Sequence, residues 1–223
     1  MKKVVISVGG SAINPKTVNV AFLNKLKKVI LSYAKRNKVI IVCGGGFIAR
    51  DYINALKDKN EYVRDLIGLQ ATIMNAKLLA SFIENCNQEI PMRLEEVKDL
   101  LKSFNIVIAS GFSPGSTSDG SAAIIADYLD VDTFINYTNV KGLYTKNPKL
   151  KGAKFVPKIS HENFYDNYIS KFKEKPGQHF ILDSVAARVC MNADIDVYIL
   201  TGIKNLENAL KGNKFIGTIV SSS

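Results

Sequence analysis

Residues 38–50, "KVIIVCGGGFIAR", run from an apolar stretch straight into three glycines and reach an arginine four positions beyond the last of them. A short continuous apolar run bounded by glycine is the pattern of a strand buried on both faces, as in a parallel sheet. Glycine lets main-chain N–H groups come close to a ligand, and a helix that follows presents its positive N-terminal end, so such a turn suits an anion. The same strand, glycine turn and helix also occurs as plain connection, and one instance settles nothing.

Working outward, "KVVISV" predicts a strand and residues from about Asn19 to Arg36 a helix, so that with "KVIIVC" the chain opens as a parallel strand, helix, strand unit. The stretch from Asp51 to Asn87 reads as mostly helical, with a long helix from Glu61 to Glu84, and "RLEEVKDLLKSF" predicts another. A third strand, "NIVIAS", opens onto "GFSPGSTSDG", followed by a helix at "SAAIIADYL" and a fourth strand at "DTFINYT". Residues from about 140 to 178 carry turn residues at short intervals and predict hairpins, then a helix near "HENFYDNYISKF". The chain closes with a helix at "LDSVAARVCMNA", a strand at "DVYILT", a short helix at "NLENALK" and a strand at "GTIV". This alternation predicts one α/β domain over residues 1–223, a mainly parallel sheet with helices on both faces, and a hairpin-rich subregion about 140–178.

Composition excludes several classes. No apolar stretch is long enough for a membrane span and the start, "MKKVVISVGGS", lacks a signal peptide's features, which predicts a soluble, cytoplasmic protein without a membrane partner. Cys43, Cys86 and Cys190 form no CxxC pair, so neither a disulfide framework nor a zinc site is expected, although Cys43 abuts the glycines. The net charge of +10 is spread over presumed helix faces without interleaved aromatics, which predicts a solvated surface and no nucleic-acid partner.

Three glycine-bearing turns, "SVGGS", "CGGGFIAR" and "SGFSPGSTSDG", each follow an apolar strand, and in a parallel sheet all three emerge at its carboxyl edge, where ligands bind. "TNVKGLY" follows the fourth strand in the same way. There is no GxxxxGK[ST], and "GGGFIAR" lacks the GxGxxG pattern, so a nucleotide site here is of neither common type. His161 and His179 both lie outside the glycine turns and read as surface or structural residues.

The ordered set "VGGS", "GGGFIAR", "RDLIGLQ", "GFSPGSTSDGSAA", "TNVKGLYTKNPK" and "LDSVAARV" resembles the amino acid kinase family over nearly the whole chain, most of all its archaeal-type uridylate kinases. The resemblance implies a three-layer αβα sandwich with a mainly parallel central sheet that phosphorylates UMP to UDP with ATP and Mg²⁺, as a hexamer built from dimers. It implies that Ser7, Val8, Gly9, Gly10 and Ser11 lie along the ATP phosphates, with Gly46, Arg50, Thr138, Asn139, Tyr144 and Asn147 also on the ATP side. For UMP it implies Gly45, Asp65 at the ribose, and Phe112, Ser113, Pro114, Gly115, Ser116, Thr117 and Ser118 around phosphate and base. Arg50 and Lys141 are the candidate catalytic cations, and no protein side chain is implied as a metal ligand, the Mg²⁺ being held mainly by nucleotide phosphates.

Taken alone, Asp65 is equally a helix-face carboxylate paired with Arg64, Tyr144 a hairpin packing residue, Asp119 an N-terminal helix cap and Lys141 a surface lysine. Where most members have aspartates this chain has Lys141 and Asn147, and where many have a first-strand lysine it has Ser7. Alternatives are an isopentenyl phosphate or other small-molecule kinase of the same fold, or a non-catalytic nucleotide-binding regulatory protein. Against the isopentenyl phosphate reading, which implies a histidine soon after the second glycine turn, "GGGFIAR" has none.

Overall fold

The computed structural model describes residues 1–148, 150–170 and 181–222. His179 and the part of the expected subregion and helix that falls on residues 171–178 lie outside them. At the centre is β1 (Lys3–Val8), paired in parallel with β2 (Lys38–Cys43) on one side and β4 (Thr133–Tyr137) on the other. β3 (Ile106–Ala109) extends the sheet beyond β2, and β8 (Asp196–Leu200) beyond β4. β9 (Gly217–Ser221) runs antiparallel to β8, and β7 (Lys158–Ser160) is parallel to β9 at the edge. The order β3-β2-β1-β4-β8-β9-β7 therefore reverses direction between β1 and β4.

Alternation in the strands divides the core in two. Val4, Ile6 and Val8 face one side, where α1 (Gly10–Ile13), α2 (Val20–Ala34), α4 (Glu61–Phe82) and α9 (Ile203–Leu210) supply the apolar cover. Val5, Ile40 and Val42 face the other, under α5 (Leu94–Ser103), α6 (Ser118–Tyr128) and α8 (Ser184–Asn192). Each of these strand residues is almost completely buried, and each contributes about 1.5–3 kcal/mol of transfer free energy. The small α3 (Gly46–Ala55) packs Ala49 and Ile53 on Ala71 of α4. Among the described residues no helix is long and apolar enough to cross a membrane.

The expected αβα sandwich and nearly all the expected elements form. α3 and α6 begin earlier than the spacing suggested, at Gly46 and Ser118, because both glycine loops turn directly into helix. Within the region read as hairpins, β5 (Leu143–Tyr144) and β6 (Phe155–Val156) do pair antiparallel, whereas β7 joins the main sheet. α7 (His161–Phe164) follows it and continues into a π-helical turn at Tyr165–Ile169.

Candidate active site

All three glycine loops open at the carboxyl edge of the sheet, after the neighbouring strands β1, β2 and β3, and the loop after β4 faces them across the point where the strand order reverses. Gly9 N–H donates to the Tyr137 carbonyl at 2.9 Å and Gly44 N–H to the Val8 carbonyl at 3.0 Å, so the ends of β4, β1 and β2 are tied together beneath the loops. From α4, the buried Asn75 amide donates to the carbonyls of Gly44 at 2.7 Å and Gly45 at 3.0 Å, which pins the second loop. A Cβ on Gly10 would fall 2.0 Å from the Gly46 nitrogen, and Gly46 itself has φ +71°. The first two loops touch backbone to backbone, and only glycine permits it.

The loops surround a cavity of about 420 Å³. α1 and α3 enter it from glycine N-caps, Gly9 and Gly45, that make no side-chain capping bond. Their first-turn amides are the kind of group that receives phosphate oxygens. Half-buried Arg50 lines the same space and donates from Nη1 to the Ser11 hydroxyl at 3.3 Å. Gly9, Gly10, Ser11, Gly46, Thr138 and Asn139 from the donor-side expectation, and Gly45, Asp65, Gly115, Ser116, Thr117 and Ser118 from the acceptor-side expectation, line the cavity together.

The other expected residues do not line it. Val8 is buried in the sheet core, and Phe112 packs on the core beneath α6. Ser113 and Pro114 stand outside the lining, at the loop's tip. Lys141 is exposed and does not line the cavity, and the chain turns at Gly142 into the β5–β6 hairpin. Tyr144 packs edge-on to Phe155 in that hairpin, and Asn147 lies in the turn beyond it, where its carbonyl accepts from Leu150 N–H.

Ser7 stands behind the cavity, fully buried, and its hydroxyl donates to Asp119 Oδ1 at 2.5 Å. Asp119 is thus no helix cap; Thr117 caps α6, accepting from Gly120 N–H at 2.9 Å. The second Asp119 oxygen accepts from the Asn136 amide at 3.3 Å. Thr117 also donates to Asp183 Oδ2 at 2.5 Å, while Asp183 Oδ1 caps α8 through Val185 N–H and Ala186 N–H. Asp119 and Asp183 therefore face one cavity as neighbouring carboxylates. Burial, and then the charge of Asp183, push the Asp119 carboxyl up to about 7, against the hydrogen bonds from Ser7 and Asn136. This acidic pair escaped the sequence reading. "LDS" before a helix is a visible cap signature, but its second role depends on a contact across the fold.

Asp65 is held above the ordinary carboxylate range by burial and by Glu61 one helical turn away, opposed by the Arg64 charge and the Gly115 N–H. Its nearness to Gly115 joins α4 to the third loop, which the helix-face reading alone does not predict. All three cysteines are buried, and burial raises the Cys43 thiol, so proximity to the glycines gives it no reactivity. His161 is buried rather than superficial, in keeping with a structural role. Among the described residues no group of three or more His, Cys, Asp or Glu side chains is arranged to hold a metal ion.

The model of the amino acid kinase family matches residues 2–201. The chain belongs to the amino acid kinase family. It is 33% identical to the uridylate kinase of Archaeoglobus fulgidus over 98% of this chain and 100% of that one, and 33% identical to the uridylate kinase of Thermoplasma volcanium over 98% and 97%. The crystal structure of the Archaeoglobus enzyme superposes with a TM-score of 0.87 over 99% of this chain and 100% of that one. A UMP kinase from Ureaplasma parvum, 21% identical, superposes with a TM-score of 0.81 over 99% and 98%, which shows the shared amino acid kinase fold.

Proposed function

We propose that this member of the amino acid kinase family is a UMP kinase, transferring the γ-phosphoryl group of ATP to UMP to give UDP and ADP. The observation that carries the reading is the convergence of three glycine loops, Arg50 and Asp65 on one cavity in a chain 33% identical throughout to a uridylate kinase. The donor phosphates lie along Gly9, Gly10, Ser11 and Gly46, with Thr138 and Asn139 on the nucleoside side. The acceptor lies against Gly45, Asp65 and the loop from Gly115 to Ser118, where Asp65 accepts from the ribose hydroxyls.

In the step itself, a phosphate oxygen of UMP bonds to the γ-phosphorus of ATP as the bond to the bridging oxygen breaks, and ADP leaves with that electron pair. The attacking oxygen is already ionised, so no general base is needed, and the work is positioning and charge neutralisation. Arg50 supplies positive charge beside the transferred group, and the glycine amides hold the phosphate oxygens without a side chain's bulk. Magnesium entering with ATP would lower the charge repulsion between the two nucleotides. The oxygen donors of Asp119, Asp183 and Asn136 suit such a hard cation, and these residues would receive its charge. Replacing Arg50 by Ala lowers turnover at least about tenfold on this reading, as removal of one phosphate-stabilising donor does elsewhere.

The enzyme is further proposed to be cytoplasmic, a single domain, and a homo-oligomer assembled through α4. That helix leaves Tyr62 and Met74 exposed beside half-buried Leu66, Ile67 and Ile73, more apolar surface than a solvated helix face carries. A dimer or hexamer by light scattering supports this; a monomer at micromolar concentration overturns it.

The function is tested by mixing the protein with ATP, Mg²⁺ and, in turn, UMP, CMP, dTMP, isopentenyl phosphate and acetylglutamate, and measuring ADP. UMP is expected to be the preferred acceptor. Preference for another acceptor assigns a sibling kinase, and nucleotide binding without turnover assigns a non-catalytic protein.

A further inference from the structure

We propose that the groove between α2 and α9, remote from the kinase site, docks an acidic amphipathic peptide segment of a protein partner. The groove has a volume of about 840 Å³. Its floor is apolar, made by Val29, Tyr33, Ile203 and Leu210, all half-buried. Lys25, Lys28, Lys35 and Arg36 stand exposed along its rim.

The charge on this rim lacks the usual compensation. α2 contains no carboxylate, and its Lys27 turns to another face, where it pairs with Glu84 at 2.7 Å. Among the described residues Lys25, Lys28, Lys35 and Arg36 form no ion pair. The carboxylate that does line the groove, Glu207, is already held by Lys211 at 2.5 Å and by Lys204 at 3.1 Å. Cations at the C-terminal end of a helix complement its dipole, which accounts for Lys35, the C-cap of α2, and Arg36 just beyond it. That account fails for Lys25 and Lys28, which lie in the interior of α2, more than a turn from its C-terminal end, where the dipole gives a cation little.

Apolar floor and cationic rim together specify the ligand. At 1.5 Å per residue, Lys25 and Arg36 are roughly 16 Å apart along the axis, about three turns of a partner helix. An amphipathic helix laid in the groove would bury its apolar stripe on Val29, Tyr33, Ile203 and Leu210 and place its carboxylates on the rim. Single-stranded nucleic acid would need stacking platforms, and the groove offers Tyr33 alone among aromatics. A bilayer surface does not enter a concave groove. A second copy of the chain is poorly suited, since its acidic helix α5 carries its own bases, Glu96 pairing with Arg93 and Asp99 with Lys102.

The test is fluorescence anisotropy on the full-length protein at physiological ionic strength. The probes are a labelled synthetic peptide with Glu and Leu in helical spacing, a scrambled peptide of the same composition, an oligouridylate and phosphatidylglycerol vesicles. The helical-pattern peptide is expected to bind at least about tenfold tighter than the scrambled one, and to lose about tenfold in the Lys25→Glu/Lys28→Glu variant while phosphoryl transfer is unchanged. Should charge reversal unfold the protein, Lys25→Gln/Lys28→Gln is expected to weaken the same peptide in the same sense. Equal binding of the scrambled peptide, tighter binding of RNA or vesicles, indifference to the lysine changes, or no binding of any probe would each overturn the proposal.

Discussion

The Ser7 hydroxyl donates to Asp119 Oδ1 at 2.5 Å, linking the C-terminal end of the central strand to the first turn of α6. The carboxylate receives a neutral donor there, and it shares the cavity with a second carboxylate, Asp183. The resting site is therefore short of positive charge on the side where the metal nucleotide is proposed to enter.

That shortage has a measurable sign. The folded-state Asp119 carboxyl is raised from 3.8 to about 7, so between those values the folded state holds a proton that the unfolded state has lost. The stability this group contributes is present at low pH and falls as pH rises through that window. Replacing Asp119 by Asn removes the penalty, and thermal unfolding at pH 8 is expected a few degrees higher than in the wild type, with turnover reduced at least about tenfold. A lower melting temperature at pH 8 would show that the ionised carboxylate is favourably held.

A related expectation concerns binding. Asp119 is expected to release a proton when magnesium-ATP binds near pH 7, because added positive charge favours the carboxylate. Calorimetry in two buffers of different ionisation enthalpy measures this directly. Equal heats in both buffers would remove Asp119 from the linkage.

The contact between the first two glycine loops predicts an asymmetric response to alanine. Gly10→Ala would drive a Cβ to 2.0 Å from backbone nitrogen, with no rotamer to relieve it, and is expected to cost at least about 3 kcal/mol in urea unfolding. Gly212 has φ +72° but open space around it, and Gly212→Ala should cost roughly 1–2 kcal/mol for the left-handed backbone alone.

His161 is buried with Nε2 unpartnered among the described residues, and burial holds its imidazole below the ordinary value despite Asp194 and Asp196 nearby. The unfolded state therefore takes up the proton first, and stability is lost as pH falls below about 6.5. The His161→Leu variant is expected to lose less stability than the wild type between pH 7 and pH 5. An identical pH dependence would mean that other groups carry the acid sensitivity.

Much of this was legible from local pattern. β1 and β2 are mostly apolar runs, α2 and α5 show helical spacing, and the glycines after β1, β2 and β3 marked the cavity edge. α1 was not foreseen because "GSAI" spans four residues, too few for periodicity to register. β7 was missed because three residues after a proline acquire strand character only by pairing with β9. The acidic pair was hidden for a different reason: Ser7 and Asp119 are 112 positions apart, and Thr117 and Asp183 are 66 apart. Each residue has a sufficient local explanation, so only the folded chain shows them facing one space. Lys141 shows the reverse case, a residue whose motif position suggests the phosphates and which stands exposed outside the cavity lining.

Phosphoryl transfer to UMP is measured most directly by following the phosphorus. The protein is incubated with UMP and ATP labelled at the γ-phosphate, and the nucleotides are separated. The account predicts label in the β-phosphate of UDP, one per ADP formed, and strongly reduced label with Arg50→Ala. ADP and inorganic phosphate without labelled UDP, or no label transfer to UMP at all, would contradict it.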